Sequence, residues 1–170
     1  CALSKLAPSA DAVVYDIGAG TGSCTVELAL QAPFGKVYAF EINGDALHIL
    51  QQNIAHFDLA NVTVVSGDAK ERLKDIETPP DYVFIGGTKG RLSAILDEVY
   101  RKNEACAVVV TAITIETLAA LTAYYSARRD YDLDITQVST ARSQKVGASH
   151  LMMAQNPIFI VTIVRRSDAS

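Results

Sequence analysis

The chain has 170 residues, 49% of them hydrophobic and 20% charged, enough for one domain with a sizeable core. No apolar run reaches the roughly 18–20 residues of a membrane span, and no signal-peptide pattern opens the chain. The net charge of −4 argues against a large nucleic-acid footprint, which needs clustered cations to neutralise phosphates.

The chain begins at Cys1 and enters a helical pattern at once, ALSKL, so residues 1–170 are expected to form a single domain cut from something longer, lacking an N-terminal segment or domain. DAVVYDIG (11–18) is a strand ending at glycines, and GSCTVELALQ (22–31) is a helix stopped by Pro33 and Gly35. KVYAFE (36–41) is a second strand. Asp45 to Phe57 places Leu47, Leu50, Ile54 and Phe57 on one helical face. VTVV (62–65) is the third strand, followed by a short helix or turn at AKERLK. DYVFIG (81–86) is the fourth and LSAILDEVYRK (92–102) an amphipathic helix. ACAVVVTA (105–112) is continuously apolar, as central parallel strands are. ETLAALTAYYSAR (116–128) is helical again.

The alternation then changes. YDLDITQVST (131–140) and NPIFIVTIVRR (156–166) are two strands with no helical pattern between them, so they should pair antiparallel. The segment 141–157 is expected to be a long loop, too long for a tight hairpin, its Met152 and Met153 pointing to burial against a partner or ligand. Five strand–helix units followed by an antiparallel pair is the layout of class I S-adenosylmethionine-dependent methyltransferases. The expected fold is therefore α/β and Rossmann-like, a seven-stranded mostly parallel sheet with a terminal antiparallel strand.

The strongest motif is DIGAGTG (16–22), on the turn from the first strand into a helix. Glycine there lets a ligand approach the backbone, and the helix start supplies free N–H groups. Dinucleotide sites favour G-x-G-x-x-G; this turn is D-x-G-x-G-x-G. Asp16 would crowd a pyrophosphate but suits an ammonium, as in the methionine part of S-adenosylmethionine. Gly18, Ala19, Gly20, Thr21 and Gly22 are expected to cradle that cofactor. Glu41, 19 residues beyond Gly22, ends the second strand where a carboxylate accepts from both ribose hydroxyls, with Ile42 beside it. Asp68 and Ala69, in SGDA after the third strand, are placed for the adenine amino group. Each alone has a bland reading as a tight turn or a solvated acid; three consecutive strand ends in one crevice do not.

The fourth strand runs out into YVFIGGTKGR, which delivers glycine backbone and cations but no acid, base or nucleophile. Gly86, Gly87, Lys89 and Arg91, with Arg142 and Lys145, are candidate substrate contacts. No catalytic residue is assigned. The three cysteines, Cys1, Cys24 and Cys106, lack metal spacing, and Cys24 and Cys106 read as buried free thiols, in keeping with a reducing cytoplasm. His48 and His56 read as ordinary helix residues; no metal site is expected.

DIGAGTGS, IGGTKGR and the late SHLMMAQNPIFIV together resemble the CbiT-type precorrin methyltransferases of cobalamin biosynthesis, which occur alone or as the C-terminal half of bifunctional C5,15-methyltransferases. The resemblance covers nearly the whole chain. It implies methylation of carbon-15 of a precorrin with decarboxylation of the carbon-12 acetate, a tetrapyrrole substrate, and a homotetramer. Lys89, Arg91, Arg142 and Lys145 would then pair with substrate carboxylates. Other readings are a methyltransferase acting on RNA, protein or another small molecule, and a fragment that binds the cofactor without catalysis. An NAD-dependent dehydrogenase is disfavoured by the glycine spacing.

Overall fold

The computed structural model describes residues 1–128 and 130–165. In chain order the elements are α1 (Ala2–Leu6), β1 (Val13–Ile17), α2 (Ser23–Gln31), β2 (Lys36–Glu41), α3 (Gly44–His56), β3 (Val62–Ser66) and α4 (Ala69–Arg72), which runs into a 3₁₀ turn at Leu73–Asp75. There follow β4 (Tyr82–Ile85), α5 (Leu92–Lys102), β5 (Ala107–Ala112), α6 (Ile115–Ser126), β6 (Tyr131–Val138), β7 (Ala141–Val146), β8 (Ser149–Ala154) and β9 (Ile158–Arg165). The last residue assigned to the final strand from sequence, Arg166, lies outside the described residues.

The main sheet has seven strands in the order β3-β2-β1-β4-β5-β9-β6. The first five are parallel, and β9 runs antiparallel to both β5 and β6. The expected antiparallel pair therefore forms, but the reversed strand lies inside the edge and β6 closes the sheet. Strand residues alternate between two cores, as a period of two demands. Tyr15, Ile17, Phe40, Val83, Ile85, Val108 and Val110 pack on the α5–α6 side, and Val14, Val37, Phe84, Val109 and Ile160 pack on the α1–α2 side. Covering both faces is why the central strands are apolar throughout.

Helix α5 shows why these helices settle where they do. It buries Leu92, Ile95, Leu96, Val99 and Tyr100 along one stripe and leaves its charged residues outward. Each aliphatic side chain so buried is worth about 1.5–3 kcal/mol, so the docked stripe, more than intrinsic helix propensity, holds the element in place. At the start of α3, Asn43 accepts the Ala46 N–H at 2.9 Å and caps the helix. No helix among the described residues is long and apolar enough to cross a membrane.

The expectation of a long loop over 141–157 is corrected. Residues 141–154 form a hairpin, β7 paired antiparallel with β8 from Ala141↔Ala154 to Val146↔Ser149. A two-residue turn joins them, with Gly147 at φ +61° supplying the left-handed backbone such turns require. Every residue of both strands is exposed. With neither face packed, no apolar alternation marks the segment as a strand, and periodicity has nothing to detect.

Candidate active site

The parallel strands all end at one edge of the sheet, and the site is built there. At the end of β1 the chain turns through Gly18 to Gly22 into α2. The Gly18 and Ala19 N–H groups both donate to the Phe40 carbonyl at 3.0 Å, tying the turn to β2. Gly18 has φ +76°, and a Cβ there would lie 2.6 Å from the Gly87 carbonyl oxygen and 2.7 Å from its nitrogen. The exits of β1 and β4 thus touch backbone to backbone. Thr21 and Gly22 stand further along, where the Thr21 carbonyl accepts from the Asn53 side chain at 2.8 Å and Gly22 begins α2.

Glu41 organises the next strand end. Its Oε2 accepts the Gly20 N–H, and its Oε1 accepts the Ile42 and Asn43 N–H groups, all at 2.8 Å. Partial burial opposes ionisation, but the donors from Asn43, Gly20 and Ile42, with Lys89 nearby, prevail and hold the carboxyl below its ordinary range. Asp68 caps α4 by accepting the Lys70 N–H at 3.1 Å. It also forms an ion pair with Arg91. The acid expected at adenine and a cation expected at substrate are therefore partners across the same opening.

These groups border a cavity of about 140 Å³. Gly18, Glu41, Ile42, Asp68 and Ala69 from the candidate cofactor set line it, and so do Gly87, Lys89 and Arg91 from the candidate substrate set. Phe40, Gly67, Thr88 and Ile95 complete it and were not foreseen. Phe40 is the residue before Glu41, and Ile95 lies in the first turn of the helix after β4. Both carried a signal, since a crevice beyond parallel strand ends is walled by those positions. Ala19 and Gly86 border a second cavity instead. Arg142 and Lys145 sit on the exposed β7 strand, opposite Met153 and His150, and do not line the first cavity.

Asp16 is fully buried beneath the turn. Its Oδ2 accepts from Thr25 Oγ1 at 2.5 Å, while Oδ1 has no partner. Burial pushes its carboxyl up to about 6, against the Thr25 hydrogen bond and with Glu41 adding to the rise. A buried carboxylate oxygen without a donor is costly, and a cation or N–H brought near it would relieve the cost. Cys24, expected to be buried, is only half-buried, because the first turn of α2 faces the second cavity; Cys106 is buried.

Residues 1–165 match the family model described as the precorrin methyltransferase domain. The chain belongs to that family. It is 37% identical over 164 residues to a probable cobalt-precorrin-6B C(15)-methyltransferase (decarboxylating) from Pyrobaculum calidifontis, across 95% of this chain and 83% of the relative. It is 33% identical over 168 residues to the cobalt-precorrin-6B C(15)-methyltransferase (decarboxylating) of Salmonella typhimurium, across 98% of this chain and 86% of that one. The crystal structure of a precorrin-6y C5,15-methyltransferase from Geobacter metallireducens superposes with a TM-score of 0.87 at 33% identity, over 96% of this chain and 85% of that one.

The domain is thus an enzyme of the methyltransferase class, and S-adenosylmethionine is its cofactor. The residues present fit that group. Two carboxylates, Glu41 and Asp68, stand beside apolar Phe40, Ile42 and Ile95 in one cavity, as a nucleoside with hydroxyl and amino donors requires. The unpartnered Asp16 oxygen suits an ammonium.

Proposed function

We propose that this domain methylates carbon-15 of a precorrin and decarboxylates the acetate on carbon-12, within cobalamin biosynthesis. The observation that carries the reading is the match to decarboxylating C(15)-methyltransferases along 94–98% of this chain. The site chemistry agrees. S-adenosylmethionine, when bound, supplies a methyl group on a sulfonium. The acceptor brings its own nucleophile, a ring carbon made electron-rich by conjugation, and its own electron sink for the decarboxylation. The protein's task is then to hold the reactants in line and exclude water, which fits a β4 exit made of Gly86 and Gly87 with no acid or base.

In this proposal Glu41 accepts from the ribose hydroxyls, Asp68 and Ala69 meet the adenine, and Asp16 faces the ammonium under the Gly18–Gly22 turn. Lys89 and Arg91 pair with substrate carboxylates at the cavity rim. We further propose a homo-oligomer, a tetramer, in the cytoplasm. Supporting it, an isolated two-stranded hairpin is marginal in water, yet β7–β8 exposes Val146, Leu151, Met152 and Met153. Arg142 and Lys145 ride on this hairpin, so their proposed contact with substrate depends on the assembly.

The test is incubation with labelled S-adenosylmethionine and a late precorrin, followed by mass spectrometry. A gain of methyl with loss of carbon dioxide is expected. Gain without loss removes the decarboxylation; neither change, in protein that binds the cofactor, removes the precorrin assignment.

A further inference from the structure

A second cavity, of about 280 Å³, opens beside the first, where the ends of β1, β4 and β5 and the start of β9 meet α1 and α2. Gly18, Gly86, Cys24, Phe84, Ile113 and Ile158 are among its walls. Gly18 lines both cavities. Gly86 donates its N–H to the Ile17 carbonyl at 2.8 Å, and a Cβ at Gly86 would stand 3.2 Å from the Gly18 carbonyl oxygen. Between the two spaces there is therefore bare backbone. Transfer of a methyl group requires donor and acceptor atoms about 3–3.5 Å apart, so the acceptor must occupy a space adjoining the donor's with little side chain between.

The walls also say what kind of acceptor fits. Their polar side chains are Thr111, whose hydroxyl donates to the Ile85 carbonyl at 3.4 Å, and Cys24. Burial, with Asp16 and Glu27 nearby, pushes the Cys24 thiol up to about 11, so it stays neutral. Asp16 is not among its walls and is bonded to Thr25. A hydroxyl acceptor would find no base here to take its proton, whereas an electron-rich carbon needs none. At the mouth, Ile113 is 61% exposed and Ile158 38% exposed, an apolar surface beside a cavity with apolar walls.

We propose that this second cavity seats the apolar face of the acceptor macrocycle against Phe84, Ile113 and Ile158, with Gly86 as the thin divider from the methyl donor. The assignment rests on the precorrin reading above and adds the location of the acceptor and the residues that select a flat apolar one.

The experiment uses uroporphyrin, a flat tetrapyrrole polycarboxylate, as probe, followed by its fluorescence, with S-adenosylhomocysteine titrated in parallel by calorimetry. Ile113→Ser is neutral, so charge repulsion plays no part. It is expected to weaken uroporphyrin binding about tenfold while leaving S-adenosylhomocysteine within about twofold. In a Cys1→Ser background, uroporphyrin is expected to slow modification of Cys24 by a methanethiosulfonate, read by mass spectrometry, and S-adenosylhomocysteine is not. Unchanged uroporphyrin affinity in Ile113→Ser overturns the placement, as does protection of Cys24 by S-adenosylhomocysteine alone. Wild-type protein that binds S-adenosylhomocysteine but neither uroporphyrin nor any precorrin overturns the precorrin reading and this one together.

Discussion

Replacing Gly18 with alanine perturbs the point where the two strand exits meet. Two costs add. Gly18 has φ +76°, a left-handed backbone that an L side chain adopts at about 1–2 kcal/mol. The new Cβ would also stand 2.6 Å from the Gly87 oxygen and 2.7 Å from its nitrogen, both backbone atoms with no flexible end to move aside. Relief requires shifting the exit of β4, an overpacking cost of about 1–3 kcal/mol. The expected loss is about 2–5 kcal/mol, a large part of the roughly 5–15 kcal/mol that holds a domain together. Gly20→Ala is the control: φ is +58° but nothing lies within 4 Å of the added carbon, so only the backbone cost of about 1–2 kcal/mol applies. Urea unfolding followed by circular dichroism measures both. If Gly18→Ala costs no more than Gly20→Ala, the close approach of the strand exits is not what demands glycine, and the reasoning fails.

Asp16 has a raised folded-state pKa, about 6, so its native form holds a proton more tightly than the unfolded chain does. Stability is then greatest below the unfolded value near 4 and falls as pH rises through about 6, by up to about 3 kcal/mol; Asp16→Asn should flatten that part of the urea midpoint against pH. Glu41→Ala removes the acceptor of three backbone N–H groups as well as the proposed ribose contacts. Calorimetry should show S-adenosylhomocysteine affinity falling at least about tenfold, given about 1.5–3 kcal/mol per hydrogen bond to a charged group. Arg91→Ala releases Asp68 from its ion pair; S-adenosylhomocysteine should bind more tightly, by no more than about fivefold for an exposed pair, while uroporphyrin binds more weakly. Met152→Glu places a charge on the exposed hairpin, and light scattering should report a smaller particle with unchanged far-ultraviolet dichroism.

Much of the site was legible because its residues lie at fixed offsets from strand ends. Glu41 is the last residue of β2 and Asp68 follows β3 by two, so strand boundaries alone placed them beside Gly18 at one sheet edge. Phe40 and Ile95 escaped notice because both also read as core, and that reading masked the signal of their places at a strand end and in the first turn of the next helix. The pairing of Arg91 with Asp68 joins residues 23 positions apart by number on different loops, a contact that no local pattern encodes.

The hairpin marks the other limit. Its strands bury nothing in the single chain, so hydrophobic alternation was absent and only the turn at Gly147 hinted at it. By itself the sequence determined the alternation of strands and helices, the reversal at the last strand pair and the glycine turn with its two acids, because each is written in periodicity or in residue chemistry at strand ends. Tertiary structure alone decided that Asp16 is sealed beneath the turn with one oxygen unpartnered, that Gly18 abuts Gly87, and that a second, apolar cavity adjoins the first. Those facts depend on the distance between backbones from distant parts of the chain, which packing sets and local sequence does not.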